Sequence, residues 1–282
     1  GPIPSQRPLE AMRTQMRQSA AATIAGRMLT ATFLVCVAIL AVAYVNAQNL
    51  DVVFVPTPRE TVDRMLQVTE VGSSDYVIDL GSGDGRIAVA AGRLGARALG
   101  VDLDPARIRD AQLNAQRAGV TDRVTFRQQN LFETDLSPAT VLTMYLLPSI
   151  NVKLRPKILN LRPGTRVVSH DFTMGDWKSD LTETDNWRIH MWIVPARVAG
   201  KWQVRADNRT FAVTINQTYQ EFQGTASADG HASALRNTKL RAANIEFTVD
   251  LGGQAVTMRG LVNGDRMQGR SSAGTEWIAT RS

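Results

Sequence analysis

Apolar positions along this chain follow two rhythms. Strand-length apolar runs occur at "YVIDL" (76–80), "ALGVDL" (98–103), "RVTFRQQ" (123–129), "TVLTMYLL" (140–147), "RVVSHDF" (166–172) and "HMWIVP" (190–195). Helix-like stretches lie between them at "RIAVAAGRLG" (86–95), "PARIRDAQLNAQRAG" (105–119) and "INVKLRPKILNL" (150–161). Strand and helix in repeated alternation predict a mostly parallel sheet with helices on both faces over residues 51–195. Gly95, Gly119 and Gly164 fall where helices should stop. Asp104-Pro105 predicts a capped helix start. "TPRE" (57–60) predicts another, with Thr57 as cap and Glu60 returning the capping-box bond.

After Pro195 the rhythm becomes short and alternating. Segments such as "GKWQVRA", "NIEFTVDL" and "QAVTMRGLV" are separated by "ADG", "LGG", "NGD" and "SAG". This pattern predicts an antiparallel all-β domain over 196–282, a meander closing into a small barrel or half-barrel. No catalytic constellation is visible in it.

At the other end, "LTATFLVCVAILAVAYVNA" (29–47) is uncharged and mostly apolar, behind a segment 1–28 that carries Arg7, Arg13, Arg17 and Arg27. This pattern predicts an N-terminal apolar helix, read as a signal peptide cleaved after Ala47 or as a membrane anchor. An organellar transit peptide and a buried core helix are the alternatives. The positive-inside rule would keep the Arg-rich end in the cytoplasm.

Charge sharpens this organisation. The net charge of +6 divides into +3 for residues 1–50, −1 for 51–195 and +4 for 196–282. The near-neutral centre argues against a nucleic-acid channel there, and no nucleic-acid partner is expected. A single cysteine, Cys36, excludes an internal disulfide framework. Three scattered histidines (His170, His190, His231) make a dedicated metal centre improbable, so none is expected.

The candidate chemistry lies in "VIDLGSGDGR" (77–86), where a strand carrying Asp79 breaks into Gly81, Gly83 and Gly85. A dinucleotide fingerprint requires glycine at position 86, which is Arg86, and a triphosphate loop requires a lysine that is absent. The spacing that does fit is Asp-x-Gly-x-Gly-x-Gly, with Asp102 ending the next strand. Asp102 is placed to accept two bonds from a ribose diol, and the glycines let backbone approach a ligand closely. Asp79 is placed to face a cationic amine. A nucleoside carrying an amino acid meets all three demands, and S-adenosylmethionine is the expected cofactor.

"VIDLGSGDGR", "GVDLDP", "RQQNLF" and "TVLTMYLL", in this order and spacing, resemble the successive motifs of class I, Rossmann-like S-adenosylmethionine-dependent methyltransferases. The resemblance covers about residues 51–195. It implies that Gly81, Gly83 and Gly85 line the methionine part, that Asp102 binds the ribose and that Leu103 packs on adenine. It also implies that Asn130, with Leu131 beside it, meets the adenine amino group where the family often has Asp. More narrowly, "VFVPTP", "DLGSGDGRI" and "LRPKILNLRPGTRVVSHDF" resemble the mitochondrial lysine methyltransferases of ATP synthase subunit c and the adenine nucleotide translocase. Those commonly read Glu-Leu-Asn-Pro where this chain has Asp102-Leu103-Asp104-Pro105.

For the acceptor, "MYLLPS" after the fourth strand lacks the Asp/Asn-Pro-Pro-aromatic pattern used on base or glutamine amino groups. Tyr145 is a candidate to position or shield the acceptor, and His170 or Asp171 to act as base or orienting group. Thr57, in "VPTP", is expected over the methionine end of the cofactor. The expected function is methyl transfer by in-line displacement, possible acceptors being a protein lysine amine or a small molecule. The competing expectation is a non-catalytic exported binding protein that retains the fold. A membrane is an expected partner through 29–47, with cofactor supply favouring the cytoplasmic face and the signal-like segment favouring export.

Overall fold

The computed structural model describes residues 12–17, 19–20, 28, 31–37 and 55–282. Residues 12–17 and 31–37 are helical and exposed. The remainder of the expected segments 1–28 and 29–47 lies outside the described residues, and so do the signal-peptide and anchor readings that rest on it. Among the described residues no helix is long and apolar enough to cross a membrane.

Pro56–Ser282 form one compact unit. It opens with α1 (Arg59–Val68), followed by β1 (Tyr76–Leu80), α2 (Arg86–Arg93), β2 (Arg97–Asp102), α3 (Pro105–Ala118), β3 (Val124–Gln128) and β4 (Val141–Met144). After these come α4 (Pro148–Ile158), β5 (Arg166–His170), β6 (Leu181–Glu183) and β7 (Ile189–Ile193). The seven strands form one sheet in the order β3-β2-β1-β4-β5-β7-β6. β1 to β5 are parallel; β7 runs antiparallel to β5 and β6 antiparallel to β7. Strand order reverses between β2-β1 and β4, so the crevice beyond the carboxyl ends of β1 and β4 is where such sheets bind ligands.

Apolar layers cover both faces, which is why β1 and β4 read as unbroken apolar runs. Val62 and Met65 of α1, Ile87 and Ala91 of α2, and Ile108 and Ala111 of α3 pack on one face. Leu154 and Ile158 of α4 pack on the other with Leu136, Trp177 and Trp192. α3 starts as expected: Asp104 Oδ1 accepts the Ala106 N–H at 2.8 Å, and Gly119 ends it at φ +68°.

Three expectations are corrected. Thr57 does not cap α1; the cap position belongs to Pro58, whose carbonyl accepts the Val62 N–H at 2.9 Å. Thr57 is instead buried, its hydroxyl bonded to His170 across the sheet. Gly164 does not end a helix: α4 stops at Ile158, two residues after Pro156 removes a backbone donor. Gly164 supplies a left-handed turn before β5 instead, at φ +93°. The short β6 was not expected, because its partly exposed "LTE" has no apolar alternation to reveal it.

The rest of the unit is antiparallel. β8 (Gly200–Ala206), β9 (Arg209–Thr218), β10 (Glu221–Ala228), β11 (His231–Ala234) and β12 (Arg236–Arg241) lead to β13 (Asn244–Leu251), β14 (Gln254–Asn263), β15 (Arg266–Ser271) and β16 (Glu276–Arg281). Their order is β11-β10-β9-β8-β16-β15-β14-β13-β12. The two edge strands are halves of one segment: β11 pairs with β10, β12 pairs with β13, and only Leu235 separates them. The Leu235 N–H donates to Gly224 O of β10 at 2.9 Å, so the sheet closes on itself as a barrel. Inward positions alternate with outward ones and fill the interior with Trp202, Phe211, Phe247, Met258 and Trp277. Gly269 faces the same interior beside Trp277; a Cβ there would lie 1.8 Å from Arg259 O.

Candidate active site

The parallel strands bring their carboxyl ends to one edge, and the candidate residues collect there. β1 ends at Leu80, and Gly81, Gly83 and Gly85 follow at φ +74°, +53° and +77°. Backbone N–H groups of Gly81 and Ser82 both donate to Val101 O at 2.9 Å, and that of Gly83 donates to Asp102 Oδ2 at 2.9 Å. The turn is thereby stitched to the end of β2. At Gly85, which precedes α2, a Cβ would lie 2.5 Å from the Phe126 ring, so both conformation and space require glycine. Arg86 pairs with Asp84 at 2.7 Å and donates to Thr57 O at 2.9 Å, fastening the "VPTP" segment to the turn. Burial opposes ionisation of Asp84, but the bonds from Arg86 outweigh it and hold its carboxyl below the ordinary range.

Asp79 is 2 % exposed. Its Oδ1 accepts the Thr143 hydroxyl at 2.8 Å from the adjacent position on β4, while its Oδ2 is buried with no protein partner. Burial pushes this carboxyl up to about 7; the Thr143 bond opposes the shift, and the charges of Asp102 and Asp84 add to it. The buried Ser82 hydroxyl in the same turn also lacks a protein partner. Two orphaned polar atoms beside a glycine turn mark a place where a ligand supplies the missing bonds. A cationic amine fits Asp79 best, because it satisfies the oxygen and stabilises the charge together.

Asp102 is half-buried, and its carboxylate is fixed at both oxygens, by Gly83 N–H and by Asp104 N–H at 2.9 Å. Leu103 beside it is 65 % exposed, an apolar side chain left uncovered at the sheet edge. Asn130 follows β3, its Oδ1 accepting the Phe132 N–H at 3.0 Å; Leu131 is half-buried against the α4-side core.

On the β4 and β5 side the structure brings Tyr145, His170 and Asp171 together. The Tyr145 and His170 rings are 4.2 Å apart, and Tyr145 Oη lies 3.5 Å from Asp171 Oδ2. Phe172 stacks on Tyr145 at 6.1 Å. His170 is buried, with Nδ1 3.2 Å from Thr57 Oγ1. Its pKa is lowered by burial, with Asp171 opposing and Arg188 reinforcing, so the ring is neutral at neutral pH. Burial, with Asp171 next, raises the Tyr145 hydroxyl. Leu80 and Met144 are lateral partners, so Gly81 and Tyr145 leave the sheet side by side; a Cβ on Gly81 would lie 3.0 Å from Leu146.

Sequence reasoning missed Thr143, Arg86 in its structural role, Phe172 and Arg188. Thr143 was findable, since it lies two residues before Tyr145 on the strand beside β1. Arg188 sits in the polar "TDNWR" with no pattern to single it out.

The sheet, the glycine turn and the carboxylates at its edge are those of an S-adenosylmethionine-dependent methyltransferase with a Rossmann-like fold. The family described as "ANTKMT methyltransferase domain" matches residues 79–181. A protein-lysine N-methyltransferase of Saccharolobus islandicus is 46% identical over 127 residues, 44% of this chain and 79% of that protein. The adenine nucleotide translocase lysine N-methyltransferase of Mus musculus is 34% identical over 132 residues, 46% of this chain and 57% of that protein. A crystal structure described as an RNA methyltransferase from Salinibacter ruber, in complex with S-adenosyl-L-homocysteine, is 51% identical. It covers 51% of this chain and 96% of its own, with a TM-score of 0.50. The chain belongs to the methyltransferase family that the Saccharolobus protein and these relatives represent.

Proposed function

We propose that this enzyme transfers the methyl group of S-adenosylmethionine to the side-chain amine of a lysine in a protein. The observation that carries this reading is the aromatic and carboxylate wall of Tyr145, Phe172 and Asp171 immediately beside the glycine turn. A long stem ending in a cation fits such a wall, and the names of the Saccharolobus and mouse relatives support the same acceptor.

The bound cofactor supplies a methyl carbon on a positively charged sulphur. The chain's own residues then have separate tasks. Asp79 takes the cofactor's amino group on its unpartnered Oδ2. Asp102, locked by two backbone N–H groups, accepts from the ribose hydroxyls. Gly81, Gly83 and Gly85 give close backbone approach, and Leu103, Asn130 and Leu131 border the adenine. Burial keeps His170 neutral, and the bond to Thr57 holds its ring packed against Tyr145, closing the methionine end. Alkylation of an amine needs an unprotonated nitrogen placed in line with the reacting carbon, and the site acts by positioning. The apolar stretch 29–47 would hold the catalytic unit beside a membrane acceptor, on the face where the cofactor is supplied.

Methyl transfer from tritiated S-adenosylmethionine into membrane and soluble extracts tests this function. Label that resists ribonuclease, is lost to protease and appears as methyl-lysine after acid hydrolysis is the expected result. Label lost to ribonuclease would instead favour RNA, the acceptor named for the Salinibacter structure.

A further inference from the structure

Asp171 is held in an unusual way. It lies just past the end of β5 with φ +69°, and the residue opposite, Arg188, also has a left-handed backbone at φ +49°. The Asp171 N–H donates to Arg188 O at 2.6 Å, extending the β5–β7 pairing beyond His170 and Ile189, and the Phe172 N–H donates to His170 O at 2.8 Å. Side chains outside glycine rarely adopt this backbone, and two facing each other are retained only where the surroundings fix them. The result aims the Asp171 carboxylate at the Tyr145 hydroxyl, with the Phe172 ring stacked behind.

Arg188 Nη2 reaches the same oxygen, Asp171 Oδ2, at 2.7 Å. The two partners are unequally placed: the Asp171 side chain is 16% exposed, that of Arg188 61%. The cation therefore comes from the solvent side on a long flexible stem.

We propose that Asp171 is the seat on which the acceptor docks as its ammonium, before that nitrogen gives up its proton to solvent and reacts, and that Arg188 is a displaceable stand-in for that group. The proposal rests on the lysine reading above and deepens it. While no acceptor is present, Arg188 keeps the half-enclosed carboxylate paired. A lysine side chain brings the same charge beside the Tyr145 and Phe172 rings, where a cation gains further from an aromatic face. It exchanges with the guanidinium, whereas a neutral acceptor offers nothing in exchange for the lost ion pair. Arg188 thereby sets a threshold that favours cationic amines.

Four proteins test this: wild type, Arg188→Ala, Arg188→Lys and Asp171→Asn. Poly-L-lysine serves as acceptor, and n-butylammonium and n-butanol are titrated by NMR into the S-adenosylhomocysteine complex. Removing an exposed competitor should lower the KM for poly-L-lysine and the Kd for n-butylammonium about threefold in Arg188→Ala. Arg188→Lys should restore wild-type values, and n-butanol should show no change. Asp171→Asn should raise both constants at least about tenfold, as expected for loss of a bond to a charged group. Equal affinity for S-adenosylhomocysteine in all four shows that each is folded. Unchanged or weaker n-butylammonium binding in Arg188→Ala would overturn the proposal. If wild type leaves poly-L-lysine unmethylated yet binds n-butylammonium through Asp171, the lysine reading falls and the cation seat stands.

Discussion

The two halves of the compact unit handle their polar groups in opposite ways. In the barrel the interior is apolar, and its two buried indoles are satisfied: Trp202 Nε1 by Val198 O at 2.8 Å and Trp277 Nε1 by Arg259 O at 3.1 Å. The described buried side-chain atoms without partners, on Asp79, Ser82, Asn151 and Arg166, all belong to the Rossmann-like half. Left-handed residues outside glycine occur in both halves. In the barrel they fall at or beside strand ends, as at Asp207 and Tyr219; in the Rossmann-like half Glu70 follows α1, and Asp171 and Arg188 flank β5 and β7 at the sheet edge that carries the glycine turn. The barrel is a closed packing, whereas in the other half two of the four unpartnered groups, on Asp79 and Ser82, lie at the glycine turn.

The largest test of this contrast is on the barrel. Trp277→Ala empties the space its ring fills against Gly260 and should lower stability by about 3–5 kcal/mol in chemical denaturation. If the barrel is only packing, the surviving folded fraction should bind S-adenosylhomocysteine with wild-type affinity.

Asp79→Asn should do the reverse. Loss of a charged partner for the cofactor's amine should weaken S-adenosylmethionine binding by about a hundredfold in calorimetry. Stability should move the other way. The folded carboxyl, at about 7, sits above its unfolded value, so the folded state binds the extra proton and loses stability as pH rises through this range. The amide avoids that loss, so thermal melts should show the variant near wild type below about pH 4, and progressively more stable up to a few kcal/mol at pH 8. Wild-type affinity should likewise fall below about pH 7, as Asp79 protonates, and the variant should show a flat profile.

Smaller effects follow at groups that share their load. Asp102→Ala should weaken cofactor binding about tenfold, about 1.4 kcal/mol, with a lower melting temperature because the Gly83 and Asp104 N–H groups lose their acceptor. Smallest is Gln220→Ala. Gln220 accepts from Trp177 Nε1 at 3.0 Å and donates to Lys178 O at 2.8 Å, so the barrel grips the far end of the loop that begins with Asp171. A roughly twofold to threefold fall in kcat, with cofactor affinity unchanged, is expected if that grip sets the loop, since small displacements of positioning groups lower rates.

Much of the fold could be read from apolar rhythm because that rhythm follows burial. β1, buried on both faces, gives an unbroken run, and the barrel strands give alternation with a turn at each end. The cofactor side was legible for a related reason: Asp79, the glycines and Asp102 lie on consecutive elements, so spacing encodes their geometry. The acceptor side was legible only in part. Tyr145, His170 and Asp171 stand at strand ends, where the pattern marks them, but their partners come from afar. Thr57 joins His170 across 113 residues, and Arg188 reaches Asp171 from a hairpin whose sequence is merely polar. Thr57 also shows how a local rule loses to a tertiary one, since a hydroxyl suited to capping a helix forms a buried bond instead.

The closure of the barrel carries a temporal consequence. β8 pairs with β16, with Ala206 opposite Trp277, so the first strand of the barrel has no partner on that side until the last has emerged. The Rossmann-like sheet needs nothing beyond β7 to complete its pairing. During synthesis the cofactor cleft can therefore assemble on the ribosome while the barrel is still an open ribbon. The loop leading from Asp171 gains its anchor only once Gln220, in the turn between β9 and β10, has emerged, so that loop is set later than the cofactor cleft.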